Sequence, residues 1–241
     1  MVRRSGIEPG DLVAEVGPGL GALTLALREA GARVVAVEID RGLVAALRED
    51  VLAGVDDVEV VHADAVTVDW AGLLDDRPAV LVGNLPYHAA TPIILHALRS
   101  GAFTRLHAMV QREVGERWAA GVGDPRYGAV SVKVAAHASA VIDAAVSRRA
   151  FYPVPRVDSV TVRLEPRSWP HDVARDRVLG LVEAGFAQRR KRLRNALAAA
   201  GVASAAAVED ALAASGLPRA ARAEELDLAS WAALAGGLAG R

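Results

Sequence analysis

The chain contains no cysteine, which excludes disulfide bonds and thiolate metal sites. Its six histidines are not spaced with carboxylates as zinc ligands usually are, so no metal is expected. No run of eighteen residues lacks charges and turn formers, and the basic residues at 3–4 have no apolar core behind them. We therefore expect a soluble, cytoplasmic protein without a membrane anchor or a secretory signal.

Lysine is scarce, with two residues, and arginine supplies most of the positive charge. The net charge of −1 hides a segregation along the chain. Residues 1–110 carry 9 basic and 15 acidic side chains, whereas residues 146–194 carry 12 basic and 5 acidic ones. A solvated helix face is one explanation for such a block, and binding of nucleic-acid phosphates is the other. The residues predicted to contact RNA are Arg148, Arg149, Arg189, Arg190, Lys191 and Arg192.

A glycine-rich turn separates a buried strand from a helix near the amino terminus. The strand is predicted over residues 12–16, the turn over 17–22 and the helix over 23–30. This order is typical of nucleotide-cofactor sites, because glycines let the backbone approach the ligand and turn into the helix. The next strand ends in Glu38, where a carboxylate can accept hydrogen bonds from both hydroxyls of a ribose.

The same glycine pattern also fits a nicotinamide dehydrogenase, so this alternative stays open at that point. Two carboxylates favour S-adenosylmethionine instead. Glu15 lies two residues before Gly17, and Asp64 follows a third apolar strand, where it can accept from an adenine amine. A helix N-cap or a solvated loop acid is the alternative for Asp64. In a doubly wound sheet these strand ends share one crevice with Asn84.

A fourth apolar strand leads into the segment 83–87, which reads Gly-Asn-Leu-Pro-Tyr. Asn84 and the carbonyl after it can both accept hydrogen bonds from an exocyclic base amine, while Tyr87 stacks on the ring. A proline-containing turn after a buried strand is the alternative. The segment therefore indicates group transfer onto the amine of a base.

Five motifs, taken together and in their order along the chain, resemble those of a known family. They occupy residues 15–21, 37–40, 62–65, 83–87 and 151–159, the last reading Phe-Tyr-Pro-Val-Pro-Arg-Val-Asp-Ser. In this combination, and over about residues 11–197, the chain resembles the KsgA-type small-subunit rRNA adenine dimethyltransferases. The macrolide-resistance methyltransferases of large-subunit rRNA are near relatives and remain an alternative, as does a non-catalytic RNA-binding assembly factor.

The resemblance implies an α/β fold with a Rossmann-like class I methyltransferase sheet, as the alternating strands and helices also do. It implies an S-adenosylmethionine-binding methyltransferase domain over 1–166 and a small helical RNA-contacting domain over 167–241. The implied reaction is dimethylation of two adjacent adenosines in a 3′-terminal hairpin loop of 16S rRNA. The implied partner is the immature small ribosomal subunit, and the enzyme is expected to be a monomer.

Site residues follow from the residues and the resemblance together. In the family a tyrosine and a phenylalanine flank the target adenine, although packing under a proline-rich rim is the alternative for Phe151. The predicted catalytic residues are Asn84, Leu85, Pro86, Tyr87 and Phe151. The predicted cofactor-binding residues are Glu15, Gly17, Gly19, Glu38, Asp64, Ala65 and Asn84.

One departure from the family pattern concerns the amino-terminal leader. Family members carry a basic leader with a glutamine-asparagine-phenylalanine-leucine-like motif that closes one side of the cofactor pocket. This sequence shows no such motif before the first strand. We therefore expect cofactor binding that is weaker than in a relative with the leader, and titration calorimetry with and without a restored leader measures it.

Overall fold

The computed structural model describes residues 1–238, so the last three residues of the predicted helical domain lie outside the described part. Alternating apolar strands and amphipathic helices build an α/β architecture. The strands are β1 (Leu12–Val16), β2 (Arg33–Glu38), β3 (Val58–His62), β4 (Ala79–Asn84), β5 (Phe103–Gln111), β6 (Ala138–Val146) and β7 (Ser159–Pro166). The helices are α1 (Val2–Ser5), α2 (Ala22–Glu29), α3 (Arg41–Ala46), α4 (Trp70–Leu73), α5 (Ala90–Ser100), α6 (Arg112–Ala119), α7 (Ala129–Ala135), α8 (Arg175–Phe186), α9 (Leu193–Ala199), α10 (Ala205–Ala214) and α11 (Leu228–Gly237).

The seven strands form one sheet in the order β3-β2-β1-β4-β5-β7-β6. The pairs among β1 to β5 are parallel, and β7 joins β5 in antiparallel orientation with β6 at the edge. The nearly continuous apolar runs of β1, β2 and β4 are buried, as expected for strands covered on both faces. The α/β alternation predicted from the sequence is confirmed.

The strand order reverses between β1 and β4, which places a crevice at the carboxyl ends of these two strands. Val16 lies opposite Gly83 there. A Cβ atom on Gly83 would lie 2.8 Å from the Val16 carbonyl oxygen, so a larger residue would force the two strands apart. Glycine at this position therefore lets β4 deliver Asn84 to the crevice.

The chain forms two compact units. The first contains Met1–Gly115 and Ala138–Pro166, and the second contains Glu116–His137 and Arg167–Arg241. The predicted domains divide the chain at the same junction after residue 166, but they place the segment 116–137 in the first domain. This segment supplies α7 and Tyr127, whose buried hydroxyl donates to the Leu226 carbonyl, and both residues belong to the second unit.

The second unit is helical and has its own apolar core. Trp231 is fully buried in it, together with side chains from α8, α9 and α10. Gly185 packs against Trp231 so closely that a Cβ atom there would lie 2.5 Å from the indole ring. Within residues 1–238, no helix is long and apolar enough to span a bilayer.

Residues 131–138 fit both a helix and a strand on their sequence pattern. The structure divides them between the two: α7 ends at Ala135, and β6 begins at Ala138. The hydroxyl of Ser131 accepts from the Gly128 amide and donates to the Arg117 carbonyl. These bonds fix the first turn of α7 and explain why the helix begins there.

Candidate functional site

A cavity of about 480 Å³ opens at the carboxyl ends of β1, β2, β3 and β4. Its lining combines glycine backbone, two carboxylates and apolar side chains. The lining residues are Val16, Gly17, Val37, Glu38, Ile39, Ala63, Asp64, Ala65, Val66, Asn84, Pro86, His88, Ala89 and Ile93. The predicted residues Gly17, Glu38, Asp64, Ala65 and Asn84 therefore converge at one site.

The glycine turn between β1 and α2 keeps its backbone close to this cavity. Gly17 has a φ of 68°, which L-residues with a side chain rarely adopt, and its amide donates to the Val37 carbonyl at 3.0 Å. Gly21 has a φ of 82°, and a Cβ atom there would lie 3.0 Å from the Val51 side chain. At Gly17 the turn thus presents backbone without a side chain to the cavity.

Glu38 is buried at the end of β2, and its carboxylate is held by the backbone around it. Oε1 accepts from the amides of Ile39 and Asp40 at 2.9 and 3.0 Å, and Oε2 lies 3.4 Å from the Gly19 amide. The contact with Gly19 joins the glycine turn to the end of β2. A carboxylate oriented in this way is placed to accept from vicinal ribose hydroxyls.

Asp64 follows β3 and is exposed to the cavity. Its Oδ1 accepts from the Val66 amide at 2.8 Å, which fixes the side chain in a tight turn. This is partly the loop-acid role that the sequence left as an alternative. Oδ2 has no hydrogen bond among residues 1–238 and can accept from a ligand amine, while Ala65 is buried beside it.

Glu15 is fully buried on β1, and neither carboxylate oxygen has a hydrogen-bond partner within residues 1–238. Burial raises the pKa of Glu15 from 4.5 to about 7; the nearby Thr24 hydroxyl lowers the pKa, and Glu38 raises it further. Thr24 lies in the first turn of α2. Glu15 lies two residues before the glycine turn and does not line the cavity. Its predicted contact with the cofactor therefore stays a prediction.

Asn84 is the last residue of β4 and is exposed, although the five residues before it are buried. Its carboxamide makes no hydrogen bond to any residue that the structure describes. The next amide, that of Leu85, donates to the Met109 carbonyl on β5 at 3.0 Å. This bond fixes the peptide between Asn84 and Leu85. The Leu85 carbonyl belongs to the next peptide and accepts no backbone hydrogen bond within residues 1–238. Two acceptors without a partner among these residues therefore follow each other along the chain.

A second, more open cavity of about 290 Å³ lies beyond Asn84. It is lined by the segment after β4 and by the proline-rich loop before β7. Its residues are Asn84, Leu85, Pro86, Tyr87, Phe151, Tyr152, Pro153 and Pro155. All five residues predicted to be catalytic line it, and Asn84 and Pro86 also line the first cavity.

Tyr87 and Phe151 present their rings to this second cavity. The Tyr87 side chain is 37% exposed, and its hydroxyl lies 3.5 Å from Ser159 Oγ at the start of β7. Phe151 is partly buried at the end of a short 3₁₀ turn, Arg148–Ala150. A flat base that enters the cavity thus meets aromatic surface from two segments that are far apart in sequence.

Asp158 is a positioning residue. It belongs to the motif at residues 151–159, but the sequence alone indicates no role for it. Its Oδ1 accepts from the Arg148 amide at 3.0 Å, and its own carbonyl accepts from the Arg112 amide at 3.0 Å. The Arg112 guanidinium lies 3.9 Å from Asp158 Oδ2. Asp158 therefore attaches the 3₁₀ turn that carries Phe151 to the end of β5.

The predicted RNA-binding residues are all exposed, but they differ in their partners. In the second unit, Arg189 donates to Glu224 at 2.7 Å and to the Pro125 carbonyl at 3.3 Å, which neutralises it. Arg190, Lys191 and Arg192 form no ion pair within residues 1–238. In the first unit, Arg148 and Arg149 likewise have no acidic partner there. Five of the six predicted cations are thus available for phosphates.

Comparisons with known proteins identify the family of the chain. The family model described as ribosomal RNA adenine dimethylase matches residues 1–236. The ribosomal RNA small subunit methyltransferase A of Leifsonia xyli is 47% identical over 210 residues, covering 82% of this chain and 72% of that protein. The Streptomyces coelicolor protein of the same name is 46% identical over 214 residues, covering 86% and 74%.

Two solved structures have a similar fold. A dimethyladenosine transferase from Plasmodium falciparum aligns over 97% of this chain and 91% of its own, with a TM-score of 0.73 and 25% identity. The 23S rRNA methyltransferase ErmE aligns over 98% and 94%, with a TM-score of 0.72 and 28% identity. The predicted Rossmann-like methyltransferase fold is confirmed. The chain belongs to the ribosomal RNA adenine dimethylase family.

Proposed function

We propose that the protein uses S-adenosylmethionine to dimethylate the exocyclic amine of adenosines in 16S rRNA of the small ribosomal subunit. One observation carries this proposal: the exposed carboxamide of Asn84 belongs to both the 480 Å³ cavity and the 290 Å³ cavity. The first cavity has the carboxylates that a nucleoside cofactor needs. The second has the aromatic rings that a base needs.

The residues present fit this cofactor. Glu38 is placed to accept from the ribose hydroxyls, and Asp64 is placed to accept from the adenine amine. The turn 17–21 is placed to contact the remaining part of the cofactor. When bound, S-adenosylmethionine supplies an electrophilic methyl group on a sulfonium. The Asn84 carboxamide lies where the cofactor cavity meets the base cavity, and the chain's task is therefore to bring the amine nitrogen to that boundary.

The chain performs this task with two acceptors and two rings. Tyr87 and Phe151 hold an extruded adenine by stacking, which is worth about 1–3 kcal/mol per base. The Asn84 side-chain oxygen and the Leu85 carbonyl accept hydrogen bonds from the two N–H groups of the amine. These two hydrogen bonds draw the nitrogen toward tetrahedral geometry and direct its lone pair to the other cavity. Orientation and exclusion of water then supply most of the acceleration.

The finer features of the reaction are also part of the proposal. The target is two adjacent adenosines in a 3′-terminal hairpin loop, presented by an immature small subunit, and the enzyme acts as a cytoplasmic monomer. The first unit, which contains Met1–Gly115 and Ala138–Pro166, carries out the chemistry, and the helical second unit contacts RNA. The unpaired cations Arg190, Lys191 and Arg192 support the latter, because each neutralised phosphate adds to affinity.

ErmE supports one alternative, because a 23S rRNA methyltransferase shares this fold over 98% of the chain. The small-subunit enzymes are more similar in sequence, at 42–47% identity, and this favours 16S rRNA. The deciding experiment incubates the protein with labelled S-adenosylmethionine and with unmethylated small or large subunits. Nucleoside analysis should show dimethyladenosine in 16S rRNA. Label in 23S rRNA alone would establish the alternative.

A non-catalytic assembly factor is a third candidate, and Asn84→Ala separates it from the enzyme. The variant should still bind small subunits, while its rate of methyl transfer falls steeply. If the wild-type protein binds subunits but gives no dimethyladenosine, the catalytic proposal fails.

A further inference from the structure

Tyr152 is exceptional among the aromatic residues of this chain. All ten aromatic residues lie within residues 1–238, and nine of them are buried or at most 37% exposed. Tyr152 is 100% exposed. Burial of an aromatic ring normally contributes on the order of 1.5–3 kcal/mol to stability, and this ring contributes none of it. Its position therefore has no packing explanation.

The backbone around Tyr152 is tied down at several points. The Phe151 amide lies 3.3 Å from the Arg148 carbonyl, and Arg148 Nη1 donates to the Arg156 carbonyl at 3.3 Å. Asp158 closes the base of the loop through the Arg148 amide. Pro153 follows Tyr152 directly, and its ring restricts φ at residue 153. The loop thus presents the ring on a supported backbone, which lowers the entropy cost of binding.

The surroundings of Tyr152 match a nucleic-acid strand. The ring lines the same 290 Å³ cavity as Tyr87 and Phe151, so it lies beside the place proposed for the target base. Arg149 and Arg156 are exposed on the same loop and have no acidic partner within residues 1–238. The one acid of the loop, Asp158, is already bonded to the Arg148 amide. Aromatic surface and unpaired cations together are typical of sites for single-stranded RNA.

We propose that Tyr152 stacks on an unpaired nucleobase next to the target adenosine while the target occupies the pocket between Tyr87 and Phe151. The inference rests on the proposed function and adds a second base contact to it. Stacking tolerates any base, because every base has a flat face. Tyr152 therefore selects an unpaired nucleotide next to the target and does not select the identity of its base. This contact forms when the RNA binds and is unchanged during methyl transfer. It therefore acts on KM and not on kcat.

Steady-state kinetics with unmethylated small subunits test the inference. Tyr152→Ala should raise KM for subunits on the order of tenfold, with kcat within about twofold and unchanged affinity for S-adenosylmethionine. Tyr152→Phe and Tyr152→Trp should keep the wild-type KM, and Tyr152→Leu should behave like alanine. Val154→Ala is the matched control, because Val154 is 58% exposed on the same loop and does not line the cavity.

The outcomes separate this inference from the proposed function. Equal KM values for Tyr152→Ala, Val154→Ala and the wild type would overturn the stacking role. A wild-type KM for Tyr152→Leu would also overturn it, because any apolar contact, for example to a ribosomal protein, would then suffice. If the wild type itself transfers no methyl group to small subunits, it is the proposed function that fails. Thermal unfolding should be the same for all variants, since the side chain is fully exposed.

Discussion

The two cavities that meet at Asn84 are built in different ways. The cofactor cavity is formed by the ends of four parallel strands, and its central carboxylate, Glu38, is oriented by three backbone amides. The base cavity is more open, and half of its wall is a loop that enters from residues 151–155. Strand ends give a fixed set of hydrogen-bonding groups, whereas the loop gives flat apolar surface.

This difference matches the two ligands. A cofactor is the same in every cycle, so groups positioned by the sheet can recognise each of its polar atoms. An RNA segment has to be pulled out of its own structure, and a base that is unstacked needs rings to replace its neighbours. Asn84 and Pro86 line both cavities, and of the two only Asn84 carries a polar side chain at the boundary.

The largest effect is expected for Asn84→Ala. The change removes the acceptor that we propose to act at the reacting nitrogen, so kcat should fall by about 10²–10³-fold, as for loss of one oriented hydrogen-bonding group in other enzymes. Affinity for S-adenosylmethionine should change much less. Single-turnover methylation together with cofactor titration measures both. A large loss of cofactor affinity with normal single-turnover rates would show that Asn84 serves the cofactor side alone.

The second prediction concerns the pH dependence of stability. It rests on Glu15, a buried acid on β1 next to the glycine turn of the cofactor cavity. The folded protein holds a proton with a pKa of about 7, and an unfolded glutamate releases it near 4.5. Stability should therefore fall by roughly 3 kcal/mol as pH rises from about 4.5 to about 7.

Glu15→Gln keeps the shape and removes this titration. The difference in unfolding free energy between Glu15→Gln and the wild type should grow in favour of the variant across that pH window, as urea unfolding at several pH values measures. Glu59→Gln, at an exposed position on β3, is the control and should leave the pH profile unchanged. Parallel profiles for Glu15→Gln and the wild type would contradict the assignment.

Glu38→Gln should act on the cofactor side alone. Glutamine keeps the length of the side chain but loses the charge and one acceptor. A hydrogen bond to a charged group contributes about 1.5–3 kcal/mol, so the Kd for S-adenosylmethionine should rise by about 10- to 100-fold. Affinity for small subunits should stay as it is. Calorimetry measures the first and subunit pull-down the second, and equal losses in both would mean that the two cavities are not independent.

The smallest effect is expected for Tyr87→Phe on the base side. The ring remains, and only the long contact of 3.5 Å to Ser159 is lost, so kcat should change less than about threefold. Tyr87→Ala removes the stacking surface and should cost far more. Ser159→Ala, which removes the same contact from the other end, should resemble Tyr87→Phe in the methylation assay. A severe defect in Tyr87→Phe alone would assign the hydroxyl a direct chemical role.

The sequence predicts the cofactor side better than the base side. Strand periodicity places Gly17, Glu38, Asp64 and Asn84 at the carboxyl ends of parallel strands, and topology alone then brings them together. The approach of Phe151 depends on the antiparallel register in which Gln111 pairs with Ser159, and local patterns do not contain that register. The resemblance to a family supplied it instead.

The sequence likewise does not show which cations form ion pairs with carboxylates. Six cations of the basic blocks look equivalent there, but Arg189 is paired with Glu224, which lies 35 residues further along. Asp158 shows the same limit, because its role depends on contacts with Arg112 and Arg148 across three segments. Residues that act through neighbours distant in the chain become recognisable only after folding.

If Asn84 and the Leu85 carbonyl accept from the amine as proposed, this pair of acceptors also determines how the reaction ends. An unmodified adenine offers two amine protons to them, a singly methylated one offers one, and a doubly methylated one offers none. Each transfer would replace one of these hydrogen bonds with a methyl group, which is costly. The doubly methylated base should consequently be the poorest ligand of the three, so that loss of the hydrogen bonds favours its release.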